Sequence, residues 1–177
     1  MNQGMSLRLK LSLLFTLVLS LSFSTAFAQR EPFNEEEQAF LESRYPEAKR
    51  LVTGVRYVIH AEGTGEPARN GDMVTVLYKG MLFNGTVFNE ALDPAKPFVF
   101  RLGRGQVIDG WDQALKVMRV GSKATLLIPF ELAYGTRGNP PAVPKKTSLI
   151  FEVEMLKIER GSTPPPPPAD EGKKKKK

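Results

Sequence analysis

The chain has 177 residues, of which 41% are hydrophobic and 25% charged, a composition typical of a globular protein and not of a disordered or fibrous one. It has no cysteine and one histidine, His60, which excludes disulfide frameworks, thiol nucleophiles, thiolate metal sites and histidine-based triads. The formal net charge is +6, but residues 29–160 carry only +1 of it. A basic groove for nucleic acid is therefore not expected in the folded part.

Residues 1–28 have the three parts of a secretory signal peptide. Arg8 and Lys10 precede an uncharged apolar stretch at 11–23, and small residues follow at Ala26 and Ala28. The stretch has 13 residues, against the roughly 20 of a transmembrane helix, so an uncleaved anchor is the weaker alternative. We expect cleavage near Ala28 and a periplasmic or secreted mature protein.

Residues 29–53 predict a short N-terminal helical extension. Asn34 is a suitable N-cap for a helix that begins with three glutamates, and Phe33 is placed to pack on its first turns. Pro46 ends the helix early. Because a helix this short cannot form a long dimer interface, we expect a monomer.

Residues 54–160 carry the pattern of one α+β domain. Alternating and β-branched stretches predict five or six antiparallel strands in a largely meander-like order. Asn84-Gly85 is a strong hairpin signal, with arms at 81–83 and 86–88. The other strand segments are 55–59, 73–78, 98–102, 123–128 and 148–158. In the last segment alternation predicts one face with Leu149, Phe151, Val153 and Met155 and the opposite face with Glu152 and Glu154.

The domain has one good helix signal, which starts after Gly105 and ends at Gly121. Asp109 and Asp112 stand near its start, where acids are favoured by the helix dipole, and this interpretation is preferred to a catalytic carboxylate pair. His60 is interpreted as a solvated side chain at a strand end. The apolar residues of the helix, spaced i, i+3, i+4 and i+7, are Trp111, Ala114, Leu115 and Met118.

A sheet folded over this helix brings aromatic side chains together. The simplest interpretation is a hydrophobic core, but two loops argue for a pocket. One carries Val107 and Ile108 directly before the helix, and the other, at 129–146, is too long for a mere connection and carries Tyr134. The aromatic residues expected to converge are Tyr78, Phe98, Phe100, Trp111 and Phe151.

Residues 161–177 are expected to form a proline-rich spacer and a basic tail without a fold. Five prolines run from Pro164 to Pro168, a composition typical of polyproline II. Five consecutive lysines follow, the first at Lys173 and the last at Lys177. Such a tail can bind an anionic surface, with a purely solubilising role as the equal alternative.

From about residue 54 to 159, the sequence resembles the FKBP-type peptidyl-prolyl cis-trans isomerases. The resemblance implies their fold, a curved antiparallel sheet of about five strands around one short helix. It also implies a shallow aromatic pocket for a prolyl ring. It rests on these motifs, in order: Tyr78-Lys-Gly80, Asn84-Gly85, Phe88, Lys96-Pro97-Phe98-Val-Phe100, Gln106-Val107-Ile108-Asp-Gly110-Trp111, Val120-Gly121, Ala133-Tyr134-Gly135 and the 149–156 strand.

The resemblance also implies roles for single residues. Trp111 would form the pocket floor, while the Ile108 N–H and the Tyr134 hydroxyl would bind carbonyl oxygens of a peptide or of macrolides such as rapamycin and tacrolimus. Four positions depart from the commonest pattern: Asn89 where an Asp is usual, Asn139 where a His is frequent, and the smaller Ala142 and Val143 on the rim. The walls implied by the family are Tyr78, Phe88, Phe98, Phe100, Val107, Ile108 and Phe151.

Two hypotheses for function follow. The first is an isomerase that accelerates X-Pro rotation in exported polypeptides, without metal, cofactor or covalent chemistry. The second is a weakly active, chaperone-like module that binds proline-containing peptides in the same pocket, since Asn89 removes a charge from it. An isomerase assay with and without rapamycin discriminates between them.

Overall fold

The computed structural model describes residues 31–161, and all its helices and strands belong to the compact unit that begins at Pro32. The predicted signal peptide, the proline run and the lysine tail lie outside the described residues. Within residues 31–161 no helix has the length and apolar character needed to cross a membrane.

Two α-helices and seven strands make up the described chain. The helices are α1 (Glu35–Arg44) and α2 (Asp109–Ala114), and short 3-10 turns lie at Leu115–Val117 and Phe130–Leu132. The strands are β1 (Lys49–Arg50), β2 (Arg56–Ala61), β3 (Met73–Leu82), β4 (Val87–Ala91), β5 (Phe98–Arg101), β6 (Lys123–Ile128) and β7 (Leu149–Glu159).

The strands form one antiparallel sheet in the order β1-β2-β6-β7-β3-β4, with β5 also paired to β3. This confirms the predicted α+β class, with the two-residue β1 as an addition. The predicted meander-like order is wrong, because β2 pairs with β6 and β3 with β7. Segments 73–78 and 81–83, predicted separately, are one continuous strand, β3. That strand pairs with three others, so it holds the sheet together.

Alternation along β7 separates the two faces of the sheet. Leu149, Phe151, Val153 and Met155 are buried on the concave face, as predicted, while Glu152 is exposed on the outer face. The concave face packs against α2 and holds the main core. Its fully buried members include Val74, Val76, Leu102, Leu126 and Ile128.

Helix α2 is shorter than its apolar spacing predicts. The α-helix ends at Ala114 and the chain continues as a 3-10 turn. The prediction missed this change because apolar spacing does not distinguish an α-helix from a 3-10 helix over one turn. Close packing on β6 requires a glycine within the helix. A Cβ at Gly110 would lie 2.4 Å from Ile128 Cγ2, closer than any carbon contact allows.

Helix α1 begins as predicted, with a capping box in which Asn34 and Glu37 exchange side-chain and backbone hydrogen bonds of 3.0 and 2.8 Å. It ends at Arg44, ahead of Pro46. Phe33 and Leu41 are buried with Leu127 and Ile150 in a second cluster on the outer face. The extension is thus joined to the sheet by this cluster and by pairing of β1 with β2.

Candidate active site

A pocket of about 160 Å³ opens on the concave face, between α2, the strands β3 to β5 and the two predicted loops. Its lining is mainly aromatic and aliphatic, with a few polar groups at the edge, as expected of a small-molecule or peptide site. The lining residues are Tyr78, Phe88, Asn89, Phe98, Gln106, Val107, Ile108, Trp111, Tyr134 and Phe151.

Trp111 lies at the bottom of the pocket with only 3% of its surface exposed. Its ring centroid lies 5.0 Å from Tyr78 and 5.2 Å from Phe151, with interplanar angles of 89° and 80°. Phe88 in turn meets Phe151 edge to face at 5.7 Å. These contacts favour a rigid floor, because edge-to-face pairs contribute about 0.5–1.5 kcal/mol each beyond burial.

The wall formed by Phe88 and Phe151 depends on Gly80 in β3. A Cβ at this position would lie 2.8 Å from both Phe88 Cζ and Phe151 Cε1. The two rings occupy the space that any larger residue would fill. No local sequence pattern indicates this role of Gly80, because it follows from the pairing of β3 with β4 and β7, which brings the two rings to this position.

Two side chains hold the loop that carries Val107 and Ile108. The Asp112 carboxylate accepts hydrogen bonds from the Gly103 and Gly105 amides at 2.7 and 3.1 Å. Gln106 Oε1 accepts from the Arg101 amide at 2.8 Å. Asp112 therefore does more than favour the helix start, and Gln106, which lines the pocket, was not among the predicted site residues.

Two polar groups of the pocket remain available to a ligand. Ile108 is the N-cap residue of α2, and neither its N–H nor the Tyr134 hydroxyl has a hydrogen-bond partner within residues 31–161. The Tyr78 hydroxyl, by contrast, donates to Asn89 Oδ1. Burial, and to a lesser extent Tyr134, raises the pKa of Tyr78, so its hydroxyl stays a proton donor at neutral pH.

The family model for "FKBP-type peptidyl-prolyl cis-trans isomerase" matches residues 64–156. The chain belongs to this family. Among curated FKBP-type relatives, mouse "Peptidyl-prolyl cis-trans isomerase FKBP2" is 54% identical over 95 residues, which is 54% of this chain and 68% of that protein. The "FK506-binding protein" of Neisseria meningitidis is 47% identical over 97 residues, covering 55% of this chain and 89% of its own.

A solved FKBP-type neighbour supports the fold. The crystal structure of a peptidyl-prolyl cis-trans isomerase from Pseudomonas syringae pv. tomato matches with a TM-score of 0.63 and 33% identity. The match covers 71% of this chain and 92% of that one. Together with the family match, it establishes an FKBP fold and a peptidyl-prolyl cis-trans isomerase.

Three predicted site residues lie elsewhere than expected. Phe100 is not a wall but lies behind one, buried and stacked on Phe98 at 5.2 Å. Val143 is wrongly placed on the rim, because it is fully buried in the core. Reciprocal backbone hydrogen bonds of 2.9 Å between Asn139 and Val143 close a turn that directs Val143 inward. Ala142 is exposed in that turn but does not line the pocket.

A larger depression, of about 410 Å³, lies on the outer face of the sheet. His60 lines it and, although exposed, bonds Thr125 Oγ1 through Nε2 at 2.8 Å. Its charged lining is mixed, for Lys123 pairs with Glu154 at 3.1 Å. Residues 31–161 contain no group of three or more His, Asp and Glu side chains that could bind a metal.

Proposed function

We propose that the pocket floored by Trp111 is the active site of this isomerase and that it rotates X-Pro bonds by solvation and positioning alone. The observation that carries the proposal is the convergence of six aromatic rings on a pocket where the Ile108 N–H and the Tyr134 hydroxyl can donate to a ligand. An apolar floor fits a prolyl ring, and the Ile108 N–H and the Tyr134 hydroxyl donate hydrogen bonds to the carbonyl oxygens beside it.

The barrier to X-Pro rotation is the amide resonance energy, about 18–20 kcal/mol, and no covalent bond needs to break. In the twisted amide that resonance is lost, so its carbonyl is less charge-separated and depends less on water. Transfer into an apolar aromatic pocket therefore favours the twisted form over the planar one. A difference of about 8 kcal/mol corresponds to a millionfold acceleration.

The same groups would hold the chain during rotation. In this proposal the Ile108 N–H and the Tyr134 hydroxyl bind carbonyl oxygens, while the prolyl ring stays over Trp111. Macrolides such as rapamycin and tacrolimus would occupy the same pocket. The name of the Neisseria meningitidis relative, "FK506-binding protein", supports this part of the proposal.

We place this activity in the folding of exported polypeptides, in the periplasm or outside the cell. The support is the signal-peptide pattern of residues 1–28, with a cleavage site near Ala28. A cysteine-free chain also suits an oxidising compartment. Mass spectrometry of protein from the native host is expected to find Gln29 as the first residue, and an intact Met1 chain in the membrane fraction would contradict export.

The second candidate function is a peptide-binding chaperone module with weak turnover. It is favoured by one observation, the neutral Asn89 beside Tyr78. A protease-coupled assay on a short X-Pro peptide separates the two. Rapamycin-sensitive acceleration supports the isomerase, while tight peptide binding without acceleration supports the chaperone module.

A further inference from the structure

A second groove, distinct from the prolyl pocket, runs between α1 and the β3–β4 hairpin on the outer face. It has a volume of about 350 Å³. Three partly exposed rings lie along it, with Phe40 at 5.2 Å from Phe83 and 6.2 Å from Tyr45. Adjacent aromatic rings in a shallow groove are the usual surface on which proline-rich segments dock.

The helix beside this groove is strongly acidic. Residues 34–47 contain five glutamates and one arginine, a net charge of −4. Glu36 and Arg44 lie one helical turn before and after Phe40, on the same side of α1. Of the five glutamates, Glu35, Glu36, Glu42 and Glu47 are exposed. The groove's own charged lining is Arg44 and Glu152, and the exposed glutamates of α1 lie beside its aromatic rings.

One segment of this protein has the complementary pattern. Five prolines, 164–168, are followed by Asp170 and Glu171 and then by five lysines, 173–177. We propose that this C-terminal segment of a second copy of the chain docks in the groove, with prolines on the rings and lysines on the acidic helix. Asp170 and Glu171 then meet Arg44.

The occupant must come from another molecule, because the groove and the start of the tail lie at opposite ends of β7. Ile150 lines the groove, and Glu159, nine residues further, is about 30 Å away along the strand. Gly161 is held at that far end, where its amide donates to Asp72. Pro168 lies seven residues beyond Gly161, a reach of about 22 Å in polyproline II.

The charges near the two sites favour this groove over the prolyl pocket as the docking site for the tail. The loop that carries Tyr134 also carries Arg137, Lys145 and Lys146, which repel a run of lysines. The acidic α1 attracts it, and the attraction is screened by salt. Docking one copy's tail on the next copy's body is a head-to-tail contact, so association grows with concentration and does not stop at a closed dimer. This association departs from the monomer expected from the shortness of α1, because it uses the tail and not a helix interface.

The binding step is tested with a fluorescein-labelled peptide of residues 162–177, titrated into the full chain and followed by anisotropy. We expect binding that weakens with salt, and about fivefold weaker binding to Glu36→Lys, the effect of one ion pair. Glu62→Lys is the matched control, because Glu62 is exposed and follows the end of β2 that does not pair with β1. This variant should bind the peptide within about twofold of wild type. Phe40→Gln should weaken binding too, with its thermal unfolding midpoint as the check on folding.

Peptides with all five prolines or all five lysines changed to serine should each lose affinity. Sedimentation velocity should show concentration-dependent association of the full chain but not of a chain ending at Gly161. Displacement of the peptide by rapamycin would overturn the proposal in favour of the prolyl pocket. No binding up to about 1 mM, or salt-sensitive pelleting with anionic vesicles in its place, would also overturn it. A full chain that stays monomeric above the peptide's Kd would overturn docking between copies.

Discussion

Asn89 lines the pocket with a neutral amide, and its Oδ1 accepts a hydrogen bond from the Tyr78 hydroxyl. Tyr78 contacts the Trp111 floor directly, at 5.0 Å between ring centroids. In the proposed active site, a charge at position 89 would therefore act on the reacting amide through the Tyr78 ring.

The first prediction is that Asn89→Asp raises kcat/KM on X-Pro peptides about fivefold to tenfold. A carboxylate is nearly isosteric with the amide but makes a charge-assisted hydrogen bond, which is stronger by about 1 kcal/mol. The unfolding midpoint should hardly change. Asn84→Asp, the same change in the exposed hairpin turn, is the control. An unchanged or lower rate in Asn89→Asp would show that the pocket does not use this side chain electrostatically.

The second prediction concerns Tyr134. Tyr134→Phe removes one hydroxyl donor and should lower kcat/KM by about fivefold, since a neutral hydrogen bond contributes about 1 kcal/mol. Stability should stay the same, because no hydrogen bond of this hydroxyl to residues 31–161 exists to be lost. Tyr57→Phe in β2, outside the pocket, should leave both quantities unchanged. A loss of stability without a loss of rate would assign Tyr134 to the core.

At the scale of the elements, β3 is the strand on which the pocket depends. It carries Tyr78 toward Trp111, and its Gly80 leaves room for the rings of Phe88 and Phe151. The third prediction is that Gly80→Ala raises KM and costs about 1–3 kcal/mol of stability, as overpacking does. Lys79→Ala, one position away on the outer face, should change neither. An unaffected Gly80→Ala enzyme would mean that the two rings can shift without closing the pocket.

The C-terminal end of β7 is held by a buried carboxylate. Asp72 is 4% exposed and accepts hydrogen bonds from Arg160 at 2.6 Å, from the Arg69 amide at 2.9 Å and from the Gly161 amide at 3.2 Å. Burial alone would raise its pKa, but these hydrogen bonds and the Arg160 charge outweigh burial and lower the pKa below the ordinary 3.8. The ionised form is therefore favoured by folding.

The fourth prediction is the pH dependence that follows from Asp72. A carboxyl whose pKa is lowered by folding contributes stability that is complete above its unfolded pKa and is lost as pH falls through the folded pKa. Chemical denaturation should show wild type losing this stability below pH 3.8, while Asp72→Asn lacks it at every pH. At neutral pH the variant should be less stable by about 1–3 kcal/mol. Equal acid sensitivity of the two proteins would contradict this role.

At the scale of the whole molecule, the sheet has two faces with different tasks. The concave face packs on α2 and forms the pocket proposed as the active site, while α1 packs on part of the outer face. Hydrogen bonds from backbone amides to the side chains of Asp112 and Gln106 hold one rim of the pocket, so folding sets the shape of that rim before a ligand binds. Such preorganisation is what catalysis by positioning requires.

Local patterns made much of this fold predictable. The N-cap Asn34 and the alternation of Leu149, Phe151 and Val153 are properties of a few neighbouring residues, and both were predicted correctly. The direction of Val143 depends on its pairing with Asn139 in a long loop, and no local pattern gives it. The same holds for Gly80, whose space is filled by rings from two other strands.

The most direct test of the central claim is two-dimensional exchange NMR on a short X-Pro peptide with a catalytic amount of the full chain. We predict exchange cross-peaks between the cis and trans forms that disappear when rapamycin fills the pocket, and that weaken in Tyr134→Phe. The account would be contradicted if the peptide's resonances shifted, which shows binding, while cis–trans exchange kept its uncatalysed time constant of tens to hundreds of seconds.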